Sequence, residues 1–446
     1  MAMPEPVYGS EPEYAQTGAA QDNRIVADVR DLRAVRAELA QLHVDAEVLG
    51  EIPALQVAMI GLSGLDAVSG EAAEAARGRL TARYVEDGRY STAPTPLDVV
   101  MTLVRDAFAA TFGRQPRMGK NRSMEVVGGL PHRAAAELPV PVHGDPGLLP
   151  RVAVDGPGLR VGVLDTAMCD NPVLAGRFRS DDFVPEKGPH PTWAGHSTFI
   201  VGRILQRAPG AEVQVRQVLG GMYGTATAWE LAEGMASFLG TGTEVLNLSL
   251  GCFTDDDDAP FLLVRAVERL TAEMIVVAAA GNHGTRSYPM PALDEDGRPK
   301  WRPEPLSPSS PMWPAAIDGV VAVGAADVGG SDGAVEMTPA DFTPVDVPWI
   351  QLWAPGVAVV STYLEGEAVA TLWTWNDDGS ISAPKDWHDT FHGWASWSGT
   401  SMSAGDVTGE IAGVAQRNDV GADEAYRMIA ERPGGKVGPD DVRPWI

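Results

Sequence analysis

The pattern of apolar and polar positions changes near residue 151. Beyond that point, short apolar runs alternate with segments that carry apolar residues at helical spacing. Such alternation predicts a parallel sheet with helices on both faces, an α/β fold over 151–446. The predicted strands are Arg160–Leu164, Ala211–Leu219, Val245–Leu250, Met274–Ala280 and Gly319–Ala325, and the predicted helices include His196–Arg207, Thr227–Leu239 and Pro260–Ala272.

The first 150 residues have a different pattern, which predicts a smaller α+β domain over 24–112. We expect strands over 24–29 and, interrupted near Pro53, over 43–62, and helices over 31–42, 65–84 and 96–112. Residues 1–23 are expected to form a disordered tail. Residues 113–150, which become rich in Pro and Gly, are expected to form a linker or an extended arm.

Length and charge narrow the class of protein. The 446 residues fit two or three domains, and 60 acidic against 34 basic residues give a net charge of −26. A chain this acidic is a poor candidate for binding nucleic acid or anionic membranes. Two cysteines exclude a disulfide framework. The N-terminal segment has no basic patch and no apolar core, so we expect a cytoplasmic protein without a membrane segment.

Four polar residues stand at predicted strand ends or helix starts, where α/β sheets carry their chemistry. They are Asp165, His196, Asn282 and Ser401. Each has an ordinary structural explanation when taken alone. An acid after a strand can cap a helix or bind a ribose, Asn between glycines commonly makes a turn, and His or Ser at a helix start is commonly a cap.

Taken together and in this order, the four residues resemble the subtilisin-like serine peptidases, or subtilases. The resemblance covers most of 158–417. The matching segments are VGVLDTAM (161–168), NPVLAGR (171–177), GHSTFIVGRI (195–204), VLNLSLG (245–251), VVAAAGN (276–282), VVAVGA (320–325), LWAPG (352–356) and SGTSMSAG (398–405). A nucleotide-binding Rossmann protein is disfavoured, because no Gly-rich loop follows the first strand.

The resemblance implies a role for each matched residue. Ser401 would be the nucleophile, His196 the general base and Asp165 the residue that orients the imidazole, while Asn282 would help form the oxyanion hole. A peptide or protein substrate would lie as an added strand, and no cofactor is required for the chemistry. The implied substrate-binding residues are Leu248, Ser249, Leu250, Gly251, Ala280 and Gly281.

Two departures from the family pattern concern the catalytic residues themselves. Ser197 follows the His where glycine is commoner, and Asp406 lies near the nucleophile, where it would raise the pKa of His196. All four reacting positions keep competent residues, so we expect an active serine endopeptidase of restricted specificity. The alternative is a catalytically silent subtilase scaffold that binds peptides or partner proteins.

Two insertions and an acidic run bear on specificity. Residues 284–312 lengthen the loop after Asn282, and residues 363–397 add a Trp-rich segment that is predicted to contain a hairpin. Its Trp residues either pack the insertion onto the domain or form a wall of the cleft. Four consecutive acids, Asp255–Asp258, commonly form a solvated loop, but resemblance to relatives that cut after basic residues implies a preference for Arg or Lys beside the cut. Calcium is the other interpretation of these acids, but no loop has a diagnostic ligand spacing, so no metal site is assigned.

The N-terminal domain has two interpretations. Subtilases are often made with a pro-region of strand–helix–strand type, and 24–62 has that pattern. The domain would then inhibit the peptidase until self-cleavage within about 113–150. Alternatively, it is retained as a regulatory domain that contacts the peptidase domain or a partner protein.

Overall fold

The computed structural model describes most of the chain. The described residues are 20–86, 94–126, 138–150, 158–185, 188–220, 224–254, 258–284, 289–293, 299–305, 307–329, 336–372, 385–432, 434–436, 442–444 and 446. Nearly all of the predicted tail over 1–23 and three of the four acids in Asp255–Asp258 lie outside these residues. Within them, no helix is long and apolar enough to cross a bilayer.

The N-terminal region folds as a small α+β domain. Its elements are β1 (Ala20–Asp28), α1 (Val29–Gln41), β2 (Asp45–Ile52), β3 (Val57–Ser63), α2 (Glu71–Glu86), α3 (Pro96–Phe112) and β4 (Met118–Val126). The predicted helix over 96–112 and the strand break near Pro53 are confirmed. Helix α2 begins at Glu71 rather than at 65, because a short 3₁₀ turn over Leu65–Ala67 precedes it.

Strand β4 lies in the segment that the sequence suggested as a linker or an extended arm. It pairs antiparallel with β1 at the edge of the N-terminal sheet. The N-terminal domain therefore continues beyond residue 112, to at least Val126. The repeated polar residues of this segment gave no alternation of apolar and polar positions, which is why the strand was not predicted.

The rest of the chain forms the predicted α/β domain. Its helices are α4 (His196–Arg207), α5 (Ala228–Ala236), α6 (Phe261–Leu270), α7 (Thr400–Asn418) and α8 (Ala422–Ala430). Its strands are β5 (Val140–Pro141), β6 (Arg160–Asp165), β7 (Phe178–Arg179), β8 (His190–Pro191), β9 (Glu212–Gln217), β10 (Thr225–Thr227), β11 (Val245–Leu248), β12 (Leu250–Gly251), β13 (Ile275–Ala279), β14 (Pro289–Leu293), β15 (Pro299–Pro305), β16 (Val320–Gly329), β17 (Glu336–Pro339), β18 (Ile350–Pro355), β19 (Val359–Leu372), β20 (Lys385–Trp397), β21 (Gly434–Lys436) and β22 (Val442–Pro444).

Parallel strands in the order β7-β9-β6-β11-β13-β16-β18 form the central sheet, with β17 antiparallel beside β16. Alternate residues of each strand enter different cores. Leu246 and Val276 pack in the core that contains α5 and α6, whereas Val245 and Val277 pack in the core that contains α7 and α8. Helices therefore cover both faces, as the sequence predicted.

Helices α4 and α7, which carry His196 and Ser401, approach each other closely. A β-carbon on Gly409 would lie 2.7 Å from the carbonyl oxygen of Ile204, and one on Gly413 would lie 2.6 Å from that of Arg207. Real β-carbons do not approach so closely, so glycine is required at both positions. This packing fixes the two helix starts relative to each other.

The N-terminal domain packs against α5 and α6. Its residues Val26, Leu55 and Val57 are buried in the same apolar cluster as residues of these two helices. A buried ion pair also joins the domains, with Arg265 Nη2 2.6 Å from Asp28 Oδ2. The N-terminal sheet and the α/β domain thus share one core.

The two insertions form hairpins. Strands β14 and β15 pair antiparallel in the first, and β19 and β20 pair antiparallel in the second, which confirms the predicted hairpin. Trp394 and Trp397 are buried, whereas Trp373 and Trp375 lie outside the described residues. The described part of the Trp-rich segment is therefore packed onto the domain.

Candidate active site

Asp165 is the last residue of β6, and its carboxylate faces His196. The Nδ1 atom of His196 lies 2.7 Å from Asp165 Oδ1 and 2.9 Å from Oδ2, and both side chains are fully buried. The backbone N–H of Thr166 also donates to Oδ1, at 2.7 Å. This carboxylate sets the proton on Nδ1 and leaves Nε2 with a free lone pair.

His196 is the first residue of α4 and is held by aromatic neighbours. Trp397 packs edge-on against the imidazole, with ring centroids 5.6 Å apart. A β-carbon on Gly195 would lie 2.3 Å from the ring of Tyr363, so only glycine fits before the histidine. The Nε2 atom is buried and has no hydrogen-bond partner among the described residues.

Ser197 turns its hydroxyl away from the imidazole. Its Oγ donates to the carbonyl oxygen of Thr166, and its backbone N–H donates to Thr166 Oγ1 at 3.1 Å. The serine that replaces the commoner glycine therefore strengthens the link between β6 and α4. It leaves the ring of His196 unobstructed.

Ser401 lies in the first turn of α7, fully buried, within a network of hydroxyl and amide groups. Its Oγ is 3.3 Å from the carbonyl oxygen of Ser249, and Ser249 Oγ donates to the Ser401 carbonyl at 3.0 Å. Asn247 Nδ2 donates to Ser249 Oγ at 2.9 Å, and Thr408 Oγ1 donates to Asn247 Oδ1 at 3.0 Å. The network fixes the end of β11 against α7.

The side chain of Asn282 has a defined orientation. Its Oδ1 accepts hydrogen bonds from the backbone N–H of Thr400 at 2.9 Å and from Thr400 Oγ1 at 3.0 Å. Its Nδ2 is buried and makes no hydrogen bond to a described residue. Thr400, which the sequence did not suggest as a site residue, thus sets the orientation of the Asn282 amide. The two N–H bonds of Asn282 Nδ2 are suited to donate to an oxyanion.

Asp406 does not act as a free anion beside the histidine. Its carboxylate is bound by Arg203, at 2.8 Å to Nε and 2.5 Å to Nη2, and by Arg207 at 3.1 Å. Arg203 lies seven residues along α4 from His196, or roughly 10 Å. Asp406 is therefore not the unpaired anion near His196 that the sequence led us to expect, because two guanidinium groups bind its carboxylate.

The predicted substrate-binding residues flank Ser401 from two adjacent strands. Leu250 and Gly251 form β12 after β11, while Ala280 and Gly281 follow β13, which pairs parallel with β11. Gly281 has a φ of +101° and donates its N–H to Thr400 Oγ1 at 3.1 Å. Both segments thus contact the first turn of α7. Ser249 of the first segment is hydrogen-bonded to Ser401, and Gly281 of the second is hydrogen-bonded to Thr400.

A segment of the N-terminal domain lies along this cleft. Strand β4 pairs antiparallel with β12, placing Val126 opposite Leu250, and on its other edge with β10, placing Ser123 opposite Thr227. Strand β10 was not predicted, because a strand of three residues is too short to give a periodic signal in the sequence. The N-terminal strand thus lies between two strands of the other domain.

A model described as the subtilase family matches residues 156–432, which is more than half of the chain. The chain belongs to the subtilase family. Among curated proteins, it is 27% identical over 274 residues to the alkaline elastase YaB of Bacillus sp. (strain YaB), a match that covers 59% of this chain and 56% of that protein. It is 26% identical over 293 residues to a thermophilic serine proteinase of Bacillus sp. (strain AK1), covering 62% and 58%. This subtilase therefore spans under two thirds of the length of these relatives.

The fold of this subtilase also resembles a solved structure. Fervidolysin from Fervidobacterium pennivorans, described as a keratinolytic enzyme related to subtilisin, matches with a TM-score of 0.57 and 17% identity. The match covers 98% of this chain and 61% of fervidolysin. At this identity the likeness concerns the fold, and it extends over the N-terminal domain as well.

Both cysteines are buried, and neither forms a disulfide. Burial raises the pKa of Cys169 to about 12, so this thiol is inert near neutral pH. No group of three His, Cys, Asp or Glu residues within the described ranges is arranged to hold a metal ion. The reactive groups in the part of the site that the structure describes are therefore hydroxyl, imidazole, carboxylate and amide.

Proposed function

We propose that this subtilase is a serine endopeptidase that cleaves peptide bonds through an acyl-enzyme. The observation that carries the proposal is the buried contact of Asp165 with His196 Nδ1, which leaves Nε2 as a proton acceptor. Ser401 Oγ attacks the scissile carbonyl and gives its proton to Nε2. The protonated His196 then passes that proton to the leaving amine, and water repeats the sequence to release the acyl group.

Two N–H groups stabilise the negative charge that develops on the carbonyl oxygen. One is Asn282 Nδ2, whose orientation is set by Thr400, and the other is the backbone N–H of Ser401 at the positive end of α7. The donors are oriented before the substrate arrives, so little reorganisation opposes the reaction. This preorganisation supports catalysis over a silent scaffold.

The substrate is an extended segment of peptide or protein. The pairing of β4 with β10 and β12 supports this, because an extended segment already lies between these two strands and exchanges backbone hydrogen bonds with them. A substrate would take the same position as an added strand. The two hairpin insertions of this domain support a restricted rather than a broad specificity.

The N-terminal domain serves as an inhibitory pro-region in this proposal. Glu125 pairs with Gly251 and Val126 pairs with Leu250, so β4 approaches Ser249 as the chain continues beyond Glu125. The carbonyl oxygen of Ser249 lies 3.3 Å from Ser401 Oγ. The bonds that directly follow Val126 are therefore the expected sites of self-cleavage, within 126–129. This narrows the broader expectation of cleavage within 113–150.

Contacts outside the cleft hold the N-terminal domain in place. Asn121 Oδ1 accepts from the backbone N–H of Trp229 at 3.0 Å, in the first turn of α5. Arg269 donates to the carbonyl oxygen of Ala54 at 3.2 Å. Such contacts slow the release of the domain after the cut, and prolonged incubation allows it to dissociate or to be degraded, which ends the inhibition.

The test compares the purified wild-type chain with the Ser401→Ala variant by intact mass over time. We expect the wild type to lose an N-terminal fragment that ends within 126–129, and the variant to keep its full mass. Equal masses in both proteins, together with no hydrolysis of added peptides by the wild type, would favour the silent scaffold. A fragment lost from both would indicate a contaminating peptidase.

A further inference from the structure

The space beside Ser401 that would take the side chain preceding the cleaved bond has two walls. One is the end of β12, where Leu250 packs into the core, so that Gly251 faces the opposite side of the strand. The other is Gly281, at the end of the neighbouring strand β13. Both walls are glycines, which add no side chain to this space. The carbonyl oxygen of Trp313 and the ring of His283 also border it, each 2.7 Å from a β-carbon built on Gly251 and Gly281 respectively.

The side chain of Met312 occupies the space between these walls. A β-carbon on Gly251 would lie 2.9 Å from Met312 Cε, and one on Gly281 would lie 3.4 Å from Met312 Cγ. A single thioether chain therefore reaches from one wall to the other. Met312 is 3% exposed, so this contact is enclosed.

Backbone contacts on both sides hold Met312 in this position. Trp313, the next residue, exchanges two 2.9 Å hydrogen bonds with Cys252. On the other side, His283 Nε2 lies 2.8 Å from the carbonyl oxygen of Ser310. The segment is thus attached to the strand after Gly251 and to the residue after Asn282, which limits how far Met312 can withdraw.

Met312 belongs to an apolar cluster with Phe253 and Val277, and the imidazole of His283 lies beside it. His283 packs edge-on against Phe253, with centroids 4.6 Å apart, and burial lowers the pKa of His283 to about 4, so its ring is neutral near pH 7. Asp258, the one described member of the acidic run, lines a separate cavity with Lys120 of the N-terminal domain. Neither His283 nor Asp258 therefore offers a counter-ion beside Met312 for a lysine or arginine side chain.

We infer that Met312 fills the first specificity pocket and restricts cleavage to bonds that follow a small residue, namely glycine, alanine, serine or valine. The inference rests on the proposed peptidase function and names the substrate class of that site. It replaces the expectation of a preference for Arg or Lys. The sequence Val-Val-Gly-Gly at 126–129, where self-cleavage is expected, fits this restriction.

The first test measures kcat/KM for peptides that differ only in the residue before the cleaved bond. The enzyme is the full chain, incubated beforehand until its mass is constant. For the wild type, kcat/KM with Ala should exceed kcat/KM with Phe or Arg by about 10- to 200-fold, the range available to a steric pocket. Met312→Gly should shift the ratio of Phe to Ala by at least about tenfold towards Phe. Met312→Leu, of similar volume, should keep the wild-type ratio.

Comparable wild-type kcat/KM values for Ala, Phe and Arg would overturn the inference, as would a ratio that is the same in Met312→Gly and the wild type. The Ser401→Ala variant distinguishes a failure of the proposed peptidase function from a failure of the proposed role of Met312. If that variant hydrolyses the peptides as fast as the wild type, the proposed peptidase function fails, and the inference fails with it. If only the selectivity is absent, the peptidase function stands and the role of Met312 is refuted.

A second test sequences the cut sites in an unfolded protein substrate. Wild-type cuts should follow small residues, and Met312→Gly should add cuts after Phe, Leu or Tyr. Equal melting temperatures of the two proteins would show that the added cuts do not arise from a loosened fold. Wild-type cuts that mainly follow large or basic residues would contradict the inference.

Discussion

Val126 of the N-terminal domain pairs with Leu250 of the subtilase domain in antiparallel register. Because both strands belong to one chain, the segment is delivered to the cleft at a high effective concentration. We therefore predict that self-cleavage is intramolecular and first order. Its rate constant, followed by intact mass, should stay constant over a hundredfold dilution, whereas a rate constant that falls in proportion to concentration would indicate cleavage between molecules.

Asp28 links the two domains through an ion pair, and its loss should weaken their association. Removing one partner of a buried charge pair costs about 2–5 kcal/mol. We expect Asp28→Ala to lower the stability of the uncleaved Ser401→Ala protein in urea unfolding. Arg77→Ala, which removes an exposed pair with Glu74, is the matched control and should change stability by less than about 1 kcal/mol.

The same ion pair gives a signed pH dependence. Hydrogen bonding to Arg30 and the charge of Arg265 hold the pKa of Asp28 well below its usual range. A carboxyl with a lowered folded-state pKa contributes stability above its unfolded pKa and loses it as the pH falls. The stability difference between wild type and Asp28→Asn should therefore be largest at neutral pH and shrink below about pH 4. A difference that grows on acidification would contradict this.

Asn282 should act on turnover rather than on binding. Asn282→Ala removes Nδ2, a donor to the developing oxyanion, and is expected to lower kcat about 10²- to 10³-fold with a small change in KM. Asn282→Asp keeps an acceptor for Thr400 but lacks the donor, so its kcat should fall as well. An unchanged kcat in either variant, measured on a short peptide, would remove Asn282 from the oxyanion hole.

Two glycine substitutions should have opposite effects on stability. Gly409→Ala places a β-carbon against the backbone of α4 and should destabilise by about 1–3 kcal/mol. Gly78→Ala lies in α2, where a β-carbon meets nothing within 4 Å. It should stabilise by about 0.5–1 kcal/mol, because alanine is the better helix former. Urea unfolding of both variants checks this, and a Gly409→Ala protein as stable as the wild type would refute the close packing of α4 and α7.

The central sheet was predictable because its strands are continuous apolar runs with clear helical segments between them. The strand over Ile275–Ala279 and the helix over His196–Arg207 lie within one residue of their predicted bounds. The candidate site was predictable because residues at the carboxyl ends of parallel strands converge. The order of Asp165, His196, Asn282 and Ser401, together with the sequence segments that surround them, was enough for the prediction.

The cleft and its occupant were not predictable from local pattern. Strand β4 is polar and pairs with strands more than 90 residues away, and β10 and β12 are too short to give a periodic signal. Met312 is an ordinary apolar residue in a Pro-rich insertion, and only its position between two distant glycines gives it a role. These features depend on tertiary packing, which the sequence does not display at short range.

The most direct test of the account is labelling with a fluorophosphonate, which reacts with an activated serine. The wild type, after incubation to constant mass, should incorporate one label, and peptide mapping should place it on Ser401. Ser401→Ala and heat-denatured wild type should remain unlabelled. A correctly folded wild type that takes up no label, or that is labelled at another residue, would contradict the assignment of Ser401 as the nucleophile.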